Sequence, residues 1–352
     1  MPITFDRLKT TVAFGLAAMS AGIFYHTSAS AQEEVNIYSY RAPELIKPLL
    51  DAFQKETGIK SNVVFASKGL AERIKAEGEN SPADVLLTVD IGRLQGAEEL
   101  GVTQPLNDPE INKHIPANLR DPDGNWFGLT TRARVIYASR DRVKQDKVTY
   151  EELADPKWKG RICTRSGQHV YSIGLIASMI AHHGEDETKK WLEAVRDNLA
   201  RKPTGNDRAQ VKAIFAGECD IALGNTYYMG KMQTNEKDPE QKEWAASVRI
   251  LFPNSDDRGS HVNISGVALA KYAPHKENAI KLMEFLASPE AQSIYAAQNF
   301  EYPVLPGAKA SERVQSWGNL KPDTVAIDQI GDLRKKASQL VDIVGFDNGP
   351  AN

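Results

Sequence analysis

Apolar and polar residues along this chain repeat in units that alternate between the strand period and the helix period. Val35–Tyr40 (VNIYSY) alternates with a period of two and predicts a strand. Pro43–Thr57 places Leu45, Ile46, Leu49, Leu50 and Phe53 on one face and stops at Gly58, which predicts an amphipathic helix ended by a glycine. Ile59–Ala66 predicts a second strand, Lys68–Glu77 a helix, Ala83–Val89 a buried apolar strand and Ile91–Leu100 another helix. Strands alternating with helices predict an α/β fold, a mainly parallel sheet with helices on both faces.

After Trp126 the pattern restarts. Val135–Ala138 predicts a strand, and DPKWKG at Asp155–Gly160 a loop. Two strand–turn–helix units follow, Arg161–Arg165 leading into a helix after Val170, and Cys219–Gly224 into a helix after Asn225. Val262–Ala270 (VNISGVALA) predicts a strong strand and Glu277–Ala287 a helix running into SPEAQ. The expected organisation is two α/β lobes, residues 32–130 plus 262–308 and residues 131–261, with helices over 309–352 packed on them. Crossing strands near Gly128–Ala138 and Val248–Ala270 are the expected hinge.

The first 31 residues fall outside this pattern. Arg7 and Lys9 precede an apolar run from Thr11 to Tyr25, and Ala29-Ser30-Ala31 follows. That order predicts a secretory signal peptide cleaved near Ala31, its apolar run shorter than the roughly 20 residues a membrane span needs. Export makes a disulfide between the only two cysteines, Cys163 and Cys219, plausible beside the alternative of two buried thiols. The formal charge of −3 offers no footprint for nucleic acid.

Chemistry enters with four tyrosines. Tyr40, Tyr171, Tyr227 and Tyr228 each fall where a predicted strand gives way to a helix, the edge at which open α/β sheets bind ligands. A phenol of ordinary pKa near 10 becomes a ligand only on losing its proton, and a trivalent oxygen-loving cation supplies that driving force. Helix N-termini, carrying about half a positive charge, favour the phenolate. Ferric iron is the cation expected. Four phenolates around it leave one net negative charge, and Arg41, Arg132 and Arg134 are candidates to offset it or to hold a companion anion.

The segments DPKWKGRI (Asp155–Ile162), GECDIALGNTYYMG (Gly217–Gly230) and SPEAQ (Ser288–Gln292) resemble those of the periplasmic ferric-iron-binding proteins of ABC transporters, the transferrin-like type of solute-binding protein. The resemblance implies a two-lobed "Venus flytrap", monomeric, that hands its cargo to an inner-membrane permease. It implies Tyr227 and Tyr228 as paired iron ligands, Tyr171 as a third from the same lobe and Tyr40 as the contribution of the other lobe. Many relatives carry a histidine slightly further along that first loop, where this chain has Ala42 and Pro43. Carbonate or water is the candidate for a remaining coordination position.

Competing readings are plainer. A lone tyrosine is usually core or surface, and Tyr38, deeper on the same strand face as Tyr40, reads as core. Asp84 and Asp90 read as turn and capping residues, His182-His183 as a solvated helix end, His169 as an exposed or supporting residue and His261 as close to the hinge. A tyrosinate iron enzyme would need histidines at suitable loop positions, which are missing. The same fold holding a small organic solute or an oxyanion is the main alternative.

Overall fold

The computed structural model describes residues 33–351, so the expected signal peptide lies outside the described residues. Within them the first lobe opens with β1 (Glu34–Ser39), α1 (Pro43–Thr57), β2 (Lys60–Phe65), α2 (Leu70–Glu77), β3 (Val85–Thr88) and α3 (Ile91–Glu99). The short α4 (Pro109–His114) leads into β4 (Phe127–Ser139), a 13-residue strand. The second lobe holds β5 (Ile162–Cys163), α5 (Val170–Asp197), α6 (Asp207–Phe215), β6 (Ile221–Asn225), α7 (Tyr227–Gln233), α8 (Glu240–Ala246) and β7 (Val248–Leu251). The chain returns through β8 (Val262–Leu269), α9 (Lys276–Ala287), α10 (Pro289–Asn299) and β9 (Tyr302–Pro303), and closes with α11 (Glu312–Gln315), α12 (Ile327–Asp332) and α13 (Arg334–Val344).

Sequence pattern sets these elements locally. Helix α1 begins at a proline, buries Ile46, Leu49, Leu50 and Phe53, and ends at Gly58, whose φ of 75° is one that glycine adopts without steric cost. Each fully buried Leu or Phe contributes about 1.5–3 kcal/mol through the water it sheds. Strand β3 is buried at all four positions, as a central strand covered on both faces must be.

The strand order is β2-β1-β3-β8-β4-β6-β5. Strands that lead into helices pair in parallel, β1 with β2 and β3 in the first lobe and β5 with β6 in the second. The antiparallel pairs belong to the strands that join the lobes. β4 pairs with β8 through Phe127–Ala133 and with β6 through Arg134–Ala138, so one continuous strand serves both lobes. The boundary expected between residues 130 and 131 falls inside it.

Two apolar clusters flank each lobe's sheet. In the first lobe one joins Ile37, Phe53, Val267 and Leu282, and the other Tyr38, Leu70, Ile74 and Leu86. In the second, Cys163 and Cys219 are disulfide-bonded within the cluster that holds Tyr137, Val211 and Trp244. Helix α5 breaks at Gly184 (φ 78°, ψ 172°). His182, expected at a solvated helix end, is instead partly buried against Asp323 at 2.8 Å, because the C-terminal segment folds back over it. No helix among the described residues is long and apolar enough to cross a membrane.

Candidate functional site

Three of the four tyrosines meet. Tyr227 and Tyr228 open α7 directly after β6, and Tyr171 is the second residue of α5 after β5. The Tyr171 and Tyr227 hydroxyl oxygens are 3.1 Å apart, and the Tyr227 and Tyr228 rings stack with centroids at 4.4 Å. Adjacent helical side chains normally diverge by about 100°. Here the pair sits on the first turn, where the incoming strand sets its direction, and both rings lie together.

Tyr40 stands apart. It follows β1, its N–H bonded to the Leu87 carbonyl, and its hydroxyl oxygen accepts from the Leu70 and Ala71 N–H groups at 2.9 and 3.0 Å. Those are the first two residues of α2, whose orphan amide donors call for an acceptor. The Arg93 guanidinium lies over the Tyr40 ring at 4.6 Å. Tyr38 is fully buried with its hydroxyl on Glu77.

A cavity of about 160 Å³ lies between these groups. Tyr40, Arg41, Arg132, Tyr171, Tyr227, Lys231 and Glu301 are among its lining residues. Tyr228 stacks on Tyr227 at the edge of this cavity and is not among its lining residues. Burial pushes the Tyr227 hydroxyl well above the phenol range, reinforced by its tyrosine neighbours, and Tyr228 rises for the same leading reason. Tyr227 and Tyr228 therefore rest as neutral phenols until a cation compensates the lost protons.

Guanidiniums surround the cluster. Arg132 lines the cavity, donating to the Val89 carbonyl at 2.6 Å and to Ser265 at 3.0 Å, with Tyr171 5.8 Å from it. Arg134, two residues on, lies deeper and pairs with Asp207 at 2.8 Å. Arg165 reaches the other Asp207 oxygen at 2.9 Å and lies 5.2 Å from the Tyr171 ring, while Arg208 sits 5.6 Å from Tyr228. Arg41 pairs with buried Glu301 at 2.8 Å and donates to Ser265. Four inner arginines, 41, 132, 134 and 165, thus face two carboxylates.

The remaining expectations find their places. Asp90 caps α3 through the Gly92 N–H and pairs with Arg334, and Asp84 accepts from Asn36 and His275. His169 caps α5 by accepting the Tyr171 N–H, its imidazole pushed down to about 3 chiefly by burial. His261 is buried beside Arg134 and likewise held neutral. Sequence reading missed Asp207, Arg165, Glu301 and Lys231. Lys231, four residues after Tyr227 on α7, had a signal, since that spacing returns to the same helix face; burial depresses its ammonium, with Arg41 adding repulsion. Glu301 had none, because its arginine is 260 residues away. No group of three His, Cys, Asp or Glu that could hold a metal occurs among the described residues.

Residues 80–322 match the family model described as bacterial extracellular solute-binding protein. The chain is 47% identical to iron uptake protein A1 of Synechocystis, over 90% of this chain and 88% of that one. Ferric iron-binding protein A of Mannheimia haemolytica, solved in an open conformation, superposes with a TM-score of 0.85 at 50% identity, covering 90% of this chain and all of its own. A Trichodesmium protein solved with iron and citrate gives 0.85 at 45% identity, over 89% of this chain and 99% of that one.

Proposed function

Because this chain belongs to the bacterial extracellular solute-binding protein family, we propose that it is a periplasmic carrier that takes ferric iron into the tyrosine-lined cavity and delivers it to an inner-membrane ABC permease. Residues 1–31 direct export and are removed near Ala31. The observation that carries the reading is the meeting of Tyr171, Tyr227 and Tyr228 at one wall, ringed by more guanidiniums than carboxylates. Phenolate oxygens are hard donors that suit a trivalent ion, and the surplus positive charge suits the anionic complex they form with it.

Tyr171, Tyr227 and Tyr228 bind as phenolates, and Tyr40 joins from the facing wall as the lobes close about the crossing strands. Carbonate or water takes a remaining position, placed to meet Arg132. The protein acts as a monomer and catalyses no reaction. Each phenolate formed releases a proton, so affinity falls as pH falls.

Titrating the iron-free protein with ferric iron tests this. An orange to red phenolate-to-iron absorption is expected, and Tyr227→Phe with Tyr228→Phe is expected to remove it. It should also lower affinity by far more than the roughly 10- to 100-fold that losing a supporting partner costs. Absence of colour in the wild type, or its survival unchanged in the double variant, would overturn the assignment.

A further inference from the structure

Beside the cleft, sharing only Arg132 and Tyr171 with it, is a second space of about 10 Å³, bounded also by Arg134, Asn225, His261 and Asn263. That is close to the volume of one water-sized occupant. Arg132 and Arg134 are two residues apart on β4 and so project from the same face; they are only 1% and 2% exposed. Three of their nitrogens have no hydrogen-bond acceptor, Arg132 Nε and Arg134 Nε and Nη2.

The oxygens of the walls do not supply the missing acceptors, and neutral His261 offers a single ring nitrogen against three donors. Asn263 Oδ1 already accepts from the Ile91 and Ile264 N–H groups, and its amide nitrogen donates to Asp90. Asn225 Oδ1 faces Arg134 Nη1 at 3.2 Å, and the Tyr171 hydroxyl is engaged with Tyr227. Nor is the charge balanced. Arg134 and Arg165 share the single carboxylate of Asp207, while Arg41 holds Glu301, and Arg132 makes its hydrogen bonds only to neutral oxygens. Of the neighbouring carboxylates, Asp90 pairs with Arg334, and Asp323, on the far side of His261, meets His182 and Arg258.

We propose that this space is a built-in site for a single-atom monoanion, chloride being the available one, held by Arg132 and Arg134 beneath Tyr171. A buried guanidinium left without acceptors is costly. A water molecule offers two lone pairs to three donors and leaves the charge untouched, whereas a halide accepts from every side and removes one of the two surplus charges. The site is distinct from any anion bound to the cargo, because it sits behind the ligand tyrosine and does not line the cleft. It stiffens the wall on which Tyr171 is carried before any cargo arrives.

Gly174 provides a probe that changes no charge. A Cβ there would lie 3.1 Å from His261 Nε2 and 3.2 Å from Asn263 Nδ2, pressing two walls of the space inward, and alanine suits a helix interior better than glycine. Crystals of the iron-free protein soaked in sodium bromide should show an anomalous bromine peak between Arg132 and Arg134. In solution, replacing gluconate by chloride at constant ionic strength should raise the melting temperature of the iron-free protein by about 2–4 °C up to 100 mM. Gly174→Ala should abolish that rise. Water density without an anomalous peak, equal melting temperatures in the two salts, or a wild-type chloride response in Gly174→Ala would each overturn the proposal. Neither readout involves iron, so the cleft reading is judged separately.

Discussion

The two walls of the cleft solve the same problem in different ways. On the second-lobe wall three phenols are already in contact, two of them stacked, and Asp207 ties Arg134 and Arg165 into a single buried network behind them. On the first-lobe wall a single phenol, Tyr40, is occupied with the backbone of α2 and covered by a half-buried arginine. One wall is assembled in advance; the other must trade or share existing bonds to take part. Preorganised donors bind without further ordering cost, whereas a donor with prior partners contributes only the difference between old and new bonds. In the proposed carrier the second wall would therefore supply affinity, and the first would signal that the lobes have met.

Asp207 gives the largest test of that contrast. It is fully buried, opens α6, accepts from the Asn225 N–H and separates two guanidiniums. Asp207→Asn leaves both arginines without their charge partner, and breaking a buried pair this way costs about 3–5 kcal/mol. The counterpart on the other wall, Glu301, serves Arg41 with support from the Thr130 hydroxyl. Glu301→Gln should cost less, as one guanidinium rather than two loses its carboxylate. Urea unfolding of the iron-free variants measures both. If Glu301→Gln proves the more damaging, the second wall is not the more tightly built of the two.

The same asymmetry governs what could be read from sequence. The tyrosines were legible because each is next to a strand-to-helix junction, a local signal that the periodicity of β1, β6 and α5 carries. The elements came out within a residue or two for α1, α3, β8 and α9, where apolar spacing, prolines and glycines all agree. What pattern could not show was that the Tyr40 oxygen would turn to the α2 N-terminus, since that depends on how the loop after β2 packs. Nor could it show the carboxylates that hold the arginines. Asp207 looks like an ordinary helix-start acid after Asn206, and only the pairing of β4 with β6 brings Arg134 to it.

Tyr40→Phe probes the weaker wall directly. The variant retains Tyr171, Tyr227 and Tyr228, so the coloured complex should still form, while ferric affinity drops by about 10- to 100-fold, or roughly 1.4–2.8 kcal/mol. Most of the loss should appear as faster release, measured by transfer of iron to a competing chelator. An unchanged affinity and release rate would remove Tyr40 from the ligand set and leave its hydroxyl as the cap of α2. A loss as large as that of the double variant at 227 and 228 would erase the distinction between the walls.

The smallest effect is expected at Arg93, which donates to the Ser67 carbonyl at 3.2 Å and lies over Tyr40. Its counterpart Arg165 is anchored by a buried carboxylate, but Arg93 has only a carbonyl and the ring, so its hold on the tyrosine is the cation–π attraction of about 0.5–1 kcal/mol. Arg93→Met keeps the length of the side chain and deletes the charge. Ferric affinity should fall by about 2- to 5-fold, with unfolding stability unchanged. Combining it with Tyr40→Phe separates a positioning role from a general effect of surface charge. If Arg93 acts by orienting the phenol, its substitution adds nothing once the hydroxyl is gone, and the two losses are non-additive. Full additivity would mean that Arg93 acts on the anionic phenolate complex through its charge alone, and that the first wall contributes charge compensation rather than geometry.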